Sequence, residues 1–263
     1  NWIQHALDDN LDKWSEPLVM IPRDDMGKLM VNEPYFDPDV WIMDGFYYGL
    51  NGRSSHQSPL IMKSENLKDW EHIGELLHPD FDEEKLGVKK EEDISCPNFF
   101  KLGDKWVLTC ISHRLGCRYF IGEFKDEQYL PEYHAVIGGN SRRYFAPESL
   151  VTPDGRRVNW SWFINGNNKD NRGTQSLPTE MRLNANGQMR FRPIKELEAL
   201  RYEKKDKNMI KIKEHSSLLI DEIKGDHCEI EVVVTNTGNS SFGIDVLCND
   251  EGKDGLRIKV NRD

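Results

Sequence analysis

Long apolar runs are missing from this 263-residue sequence: none approaches the roughly 20 residues that a membrane-spanning helix requires, and the mean hydropathy is −0.69. No membrane partner is therefore expected. Basic charge is scarce too, with 35 Lys and Arg against 45 Asp and Glu, a net charge of −10 and no basic block. A nucleic-acid surface has to neutralise phosphates, so that class of partner is excluded and a neutral or weakly polar ligand fits better. Cysteine is sparse, odd in number and irregularly spaced: Cys96, Cys110, Cys117, Cys228 and Cys248 form neither a disulfide framework nor a paired C-x-x-C zinc pattern. They read as mostly buried thiols. The eight histidines show no metal-ligand spacing, so no metal and no cofactor are expected. The opening residues, Asn1-Trp2-Ile3-Gln4-His5, carry no initiator Met, charged n-region or apolar h-region, and the chain reads as cut from something longer. Compartment and oligomeric state stay open.

Helical periodicity is almost absent, and short strands repeat instead. Asp37-Pro38 leads through an apolar run to an Asp44-Gly45 turn and the aromatic run Phe46-Tyr47-Tyr48, which is a hairpin by its turn chemistry. Cys96-Pro97 opens a second hairpin of this layout 59 residues later, and Ala146-Pro147 a third, 50 residues further on, through Asp154-Gly155. A second element recurs as well: Asn10-Leu11-Asp12-Lys13-Trp14 returns as Asn66-Leu67-Lys68-Asp69-Trp70, and its Leu and Trp are expected to plug the space between sheets. Periods of this size, each holding about four short strands, suit the blades of an all-β propeller. An irregular β-sandwich whose hairpins merely share Asp-Gly turns is the alternative. After a short linker at 193–201, long enough for a helical turn or two, the segments 209–220, 228–235, 241–248 and 256–260 alternate apolar and polar residues as half-buried antiparallel strands do. Two domains follow from this change of pattern, 1–198 and 199–263.

The innermost strands of a propeller converge on a central funnel, so residues at equivalent X-Pro steps become neighbours. Asp37 stands at the first step and Glu148 just after the third. Two carboxylates facing one funnel point to glycoside chemistry, which needs a proton donor, a carboxylate at the anomeric carbon and aromatic walls for the sugar. Trp41, Phe99, Phe100, Tyr144, Trp160 and Trp162 lie near the steps. Blade packing is the commoner role for each; Trp41 and Trp160 are the candidate sugar contacts. For Asp37, a plain turn aspartate before proline is the competing role.

These segments resemble glycoside hydrolase family 32, the invertase, levanase and inulinase group. Phe36-Asp37-Pro38 with Val40-Trp41 is similar to the family's Arg-Asp-Pro motif, and Ser95-Cys96-Pro97-Asn98-Phe99-Phe100 to its Glu-Cys-Pro-Asp-Leu-Phe motif. Tyr144-Phe145-Ala146-Pro147-Glu148-Ser149 resembles Tyr-Ala-x-Gln-Ser, Leu177-Pro178-Thr179-Glu180-Met181-Arg182-Leu183 resembles Leu-Pro-Arg-Glu-Leu-x-Leu, and the Leu/Trp element resembles Ser-x-Asp-Leu-x-x-Trp. The resemblance implies a five-bladed β-propeller, here without its first blade, followed by the start of a C-terminal β-sandwich. It implies a β-fructosidase acting by a retaining mechanism on a fructoside-like carbohydrate. In that mechanism Asp37 stabilises the transition state, while Phe36, Ser95, Cys96 and Glu148 line the sugar pocket.

The departures fall on catalytic positions. The family's nucleophilic aspartate belongs to an Asn-Asp-Pro-Asn-Gly motif that does not occur in this sequence and is expected to precede Asn1. Ser95 replaces the acid/base glutamate, and a hydroxyl cannot trade protons with a leaving oxygen near neutral pH. Asp93, two residues earlier and so on the same strand face, is the candidate substitute acid, with a pKa expected to be raised by burial; Glu92 is expected to point away. Phe36 replaces an arginine. Glu148 stands where the family shows a neutral Gln, either binding a sugar hydroxyl or pairing with Arg142 or Arg143. Three functions remain open: a fructosidase, a sugar-binding propeller without catalysis, and a structural or protein-contact propeller using His113, Arg114, Arg118 and Tyr119. Asn159-Trp160-Ser161 and Asn239-Ser240-Ser241 match the N-glycosylation pattern, the first on an expected inner strand that argues against its use.

Overall fold

The short strands of the sequence become sheets wherever each finds an antiparallel neighbour and a second sheet to pack on. The computed structural model describes residues 1–31, 36–52, 58–138, 143–164, 173–235 and 241–260; His56, Arg142 and Asn239-Ser240 lie outside them. The chain divides into two units, Asn1–Ile194 and Lys195–Asp263.

In the first unit, β1 (Trp2–Ile3) pairs with β2 (Leu18–Val19), and β3 (Pro22–Arg23) follows. Three sheets then succeed one another, each a meander of neighbouring antiparallel strands. The first comprises β4 (Phe36–Met43), β5 (Phe46–Gly52), β6 (Leu60–Ser64) and β7 (Trp70–Glu75), with β3 added in parallel outside β7. One helical turn, α1 (Glu83–Leu86), is capped by Asp82 and ended by left-handed Gly87. The second sheet is β8 (Ser95–Leu102), β9 (Lys105–Ser112), β10 (Gly116–Lys125) and β11 (Gln128–Val136). The third holds β12 (Tyr144–Val151), β13 (Arg157–Phe163), β14 (Thr174–Gln175), β15 (Thr179–Leu183) and β16 (Met189–Pro193), with β14 pairing only with β13. The unit is all-β, as its sequence pattern requires. The Asp44-Gly45 turn has positive φ at both residues, 52° and 82°, the twist that a two-residue hairpin needs.

The middle sheet is buried on both faces. Phe99, Leu108, Cys110 and Phe120 face the first sheet, in a cluster with Tyr48, Leu50 and Ile61. Their chain neighbours Phe100, Val107, Ile111, Tyr119 and Ile121 face the third, with Met181 and Met189. Period-two alternation thus sends successive side chains into two different cores, which is why β8–β10 read as nearly continuous apolar runs.

The repeated X-Pro step is a repeated backbone device. β4, β8 and β12 each slip register against the next strand at that step, between Phe36 and Asp39, Ser95 and Asn98, and Phe145 and Glu148. The residue before each proline is left-handed, with φ of 50° at Asp37, 46° at Cys96 and 44° at Ala146. A proline has no ladder N–H to give, so it sits at a bulge, and the bulge turns the flanking side chains out of the strand's ordinary alternation. Non-glycine residues held there are strained, and such strain concentrates at functional sites.

The Leu/Trp element also repeats in three dimensions, but only one copy is a plug. Leu11 and Leu67 have φ of 62° and 63°, and the indole N–H groups of Trp14 and Trp70 donate to the carbonyls of Leu11 and Leu67 at 3.0 and 3.1 Å. Trp70 is 1% exposed, packed against Met20 and Met62, whereas Trp14 is 50% exposed. The expected plugging role holds for Trp70 and not for Trp14, because no apolar surface of the described residues covers Trp14.

In the second unit, a 3-10 helix spans Lys195–Leu200 and a single hairpin joins β17 (Phe242–Val246) to β18 (Leu256–Val260). The strands expected at 209–220 and 228–235 do not form. Alternation specifies a strand only where a paired neighbour and a covering surface exist, and no described residue of this unit is buried. The cysteine expectation is corrected as well. Cys110 and Cys117 are buried, Cys96 and Cys248 are half-buried, and Cys228 is exposed.

Candidate active site

The three bulged strands lie side by side, β8 between β4 and β12. Side chains set by the bulges tie them together. Asp37 Oδ2 accepts from the Cys96 N–H at 3.2 Å and from its Sγ at 3.5 Å, and Asp39 Oδ2 accepts from the Phe99 N–H at 2.5 Å. On the other side of β8, Asn98 Oδ1 accepts from the Ser149 hydroxyl at 2.5 Å. Asp39, Asn98 and Glu148 occupy the same place, one residue past each proline. The first two reach the next inner strand. Among the described residues, Glu148 has no hydrogen bond or ion pair, so the pairing expected with Arg143 is absent.

Carboxylates therefore crowd around Cys96. Glu148 is solvent-exposed as a residue, yet the protein around its carboxyl partly desolvates it, and the charges of Asp39 and then Asp37 add to that; together they raise its pKa to about 7. Burial raises Asp39 as well, against hydrogen bonds from Phe99 and Asn98. Burial, then Asp37, pushes the Cys96 thiol up to about 12, so it stays protonated and can donate to Asp37. Among the described residues, the cation whose charge bears on this group is Arg157. Its guanidinium lies 3.8 Å from the Phe100 ring centre and donates to Ser149 Oγ at 2.7 Å, and burial lowers its pKa to about 10.

A second acidic group precedes β8, and its company is different. Asp93 accepts from the Ser95 hydroxyl at 2.7 Å and from the His113 N–H at 3.0 Å, with His113 Nδ1 at 2.5 Å from its Oδ2. Glu92 accepts from Ser112 Oγ and from Arg114. Arg118, fully buried, donates to the carbonyls of both Glu92 and Asp93. Burial would raise both carboxyls, but bonds from His113 and Ser95 outweigh it at Asp93, and bonds from Arg114 and Ser112 at Glu92; both pKa values are lowered. Asp93 does stand beside Ser95, but the raised pKa expected of it is reversed, because its neighbours stabilise the charged form.

The remaining candidates separate into packing and surface. Trp41 stacks on Tyr48 at 5.5 Å and meets Phe99 and Trp106 edge-on, packed against the core between the first two sheets. Phe36 pairs with Gly52, whose own Cβ would lie 3.0 Å from the Phe36 ring; only glycine leaves that ring its place. Trp160 is half-buried on β13 directly across from Glu148. Asn159 is fully buried and closed to glycosylation. Sequence reasoning missed Asp39 and Arg157. Asp39 could have been found by comparing all three post-proline positions, since Glu148 occupies the third. The concavity bounded by Leu18, Arg23, Leu29 and Trp70 lies at the edge of the first sheet remote from β4 and is separate from these residues.

The glycosyl hydrolases family 32 N-terminal domain matches residues 5–193. The sucrose-6-phosphate hydrolase of Salmonella typhimurium is 28% identical over 201 residues, covering 64% of this chain and 40% of its own length. That of Escherichia coli is 23% identical over 186 residues, covering 63% of this chain and 37% of its own. The chain thus spans about two fifths of the length of these curated relatives. Among solved structures, a sucrose-6-phosphate hydrolase from Lactobacillus gasseri has a TM-score of 0.60 at 18% identity, over 86% of this chain and 48% of that one. A family 32 β-fructofuranosidase from Bombyx mori has a TM-score of 0.54 at 20% identity, over 67% of this chain and 41% of that one. At such identities the structural likeness speaks for the fold alone. The domain match, over motifs that occur in order, is what establishes that this chain belongs to glycosyl hydrolases family 32.

Proposed function

We propose that the protein is a glycoside hydrolase of the β-fructofuranosidase type, acting with retention on a fructoside-like carbohydrate. In this reading the three sheets are blades of a five-bladed propeller, the residues from 199 onward begin a β-sandwich, and the nucleophilic aspartate comes from outside these 263 residues. The observation that carries it is the placement of Asp37: its carboxylate projects from the first inner bulge and is pinned at one oxygen by the N–H and thiol of Cys96. A carboxylate held in this way needs no reorganisation to stabilise positive charge growing at an anomeric carbon, and its second oxygen can accept from sugar hydroxyls. Trp160 supplies an aromatic face nearby. Asp93, held ionised, suits a positioning role better than proton donation.

Ser95 favours a second reading, a sugar-binding propeller without catalysis, because its hydroxyl is committed to Asp93 and is too weak an acid to protonate a leaving oxygen near neutral pH. Hydrolysis of sucrose, inulin and levan by the full-length protein, compared with its Asp37→Asn variant, decides between them. Wild-type turnover that Asp37→Asn abolishes supports the hydrolase. Saturable sugar binding by calorimetry without turnover of any substrate supports the binding protein and sinks the hydrolase.

A further inference from the structure

The proton donor that Ser95 cannot be has a replacement on the neighbouring strand. Glu148 follows the third bulge, at the place from which Asp39 and Asn98 reach toward the next inner strand. Unlike them it has no hydrogen-bond or ion-pair partner among the described residues, and the residue is exposed to solvent. Asp37 on β4 and Glu148 on β12 stand on the two strands that flank β8, and the charges of both bear on Cys96 between them. Trp160, directly across the strand pair, offers a sugar a face.

We infer that Glu148 is the general acid and base of this site, taking over the task that belongs to a glutamate at position 95 elsewhere in the family. The inference rests on the hydrolase reading above. In the first half-reaction, the bond from the anomeric carbon to the leaving oxygen breaks as a carboxylate nucleophile outside these residues bonds to that carbon, and the Glu148 proton passes to the leaving oxygen. In the second, Glu148, now a carboxylate, takes a proton from water as the water oxygen attacks the anomeric carbon. The ester bond to the nucleophile breaks, and both carboxyl groups return to their starting states. Partial burial, reinforced by the charges of Asp39 and Asp37, suits Glu148 to both halves, because it keeps the proton available near neutral pH.

The test compares full-length wild type with Glu148→Gln, a nearly isosteric change at a solvent-reachable position, on two substrates. Sucrose leaves as a sugar alkoxide that needs a proton, whereas p-nitrophenyl β-fructofuranoside leaves as a stable phenolate that does not. For Glu148→Gln, kcat/KM on sucrose is expected to fall by about 100-fold or more. On the aryl fructoside it should stay within about tenfold, since kcat/KM reports only the first irreversible step. The alkaline limb of the sucrose pH profile, expected near Glu148's pKa of about 7, should vanish in the variant. An unchanged melting temperature shows that the fold is intact. Equal losses on both substrates, or a variant as active as wild type on sucrose, overturns the assignment of Glu148 while leaving the hydrolase reading in place. A wild type inactive on both substrates overturns both.

Discussion

Two acidic groups flank the start of β8, built from the same residue types, one adjacent to it in the chain and one drawn from the strands on either side, yet with opposite proton chemistry. Glu92 and Asp93 face Arg114, His113 and two serine hydroxyls, and Arg118 fixes the backbone beneath them. Asp37, Asp39 and Glu148 bear on one another by like charge, and among the described residues the half-buried Arg157 is the cation that offsets Asp39. Burial raises a carboxyl pKa in both places. Donors and cations reverse it in the first group and like charge reinforces it in the second. The comparison teaches that a carboxylate's distance along the chain from a lost catalytic residue says little about whether it can replace it. The adjacent Asp93 is held as an anion, and the remote Glu148 keeps its proton up to about pH 7.

The largest effect is expected from Asp37→Asn, which removes the pinned negative charge and should lower kcat on sucrose by about 100-fold to 1,000-fold with little change in KM. A loss under about tenfold would remove Asp37 from the chemistry. Phe36→Arg breaks the contrast by placing a cation in the crowded group. It should pull the alkaline limb of the sucrose pH profile down from about 7 by about one unit, and an upward shift would contradict the electrostatic account. His113→Ala breaks it from the other side. Without that donor the Asp93 carboxyl should titrate higher, back toward the ordinary 3.8, as followed by NMR through its side-chain carbon; an unmoved titration would show that Ser95 alone sets it. The smallest effect is on stability. Glu148 binds its proton more tightly folded than unfolded, so its contribution is present below its ordinary 4.5 and is lost as pH rises to about 7. The melting temperature of Glu148→Gln relative to wild type should therefore rise over that window, and a falling difference would reverse the sign assigned to Glu148.

The sheets and their repeat are legible in the sequence because hairpins and X-Pro steps are local: a few residues set each turn and each bulge. What neighbours do to a carboxyl is not local. The sign of the Asp93 shift depends on His113, 20 residues on in the β9–β10 turn, and the surroundings of Trp41 depend on Tyr48, Phe99 and Trp106. Apolar alternation failed differently at 209–220 and 228–235, where the pattern is present and the partner surface that would make it a strand is absent from the described residues. The Leu/Trp element shows both sides. Its turn forms twice from the sequence alone, while burial of the indole depends on what lies beside it.

The three bulges carry a consequence for how such a site can change over generations. Each presents the residue after its proline from nearly the same backbone, whatever that residue is: aspartate at 39, asparagine at 98, glutamate at 148. Neutral substitution at one socket is then tolerated while another is charged, because no strand has to move for a carboxylate to arrive. Repetition of a backbone device makes the address of a side chain heritable separately from the side chain itself.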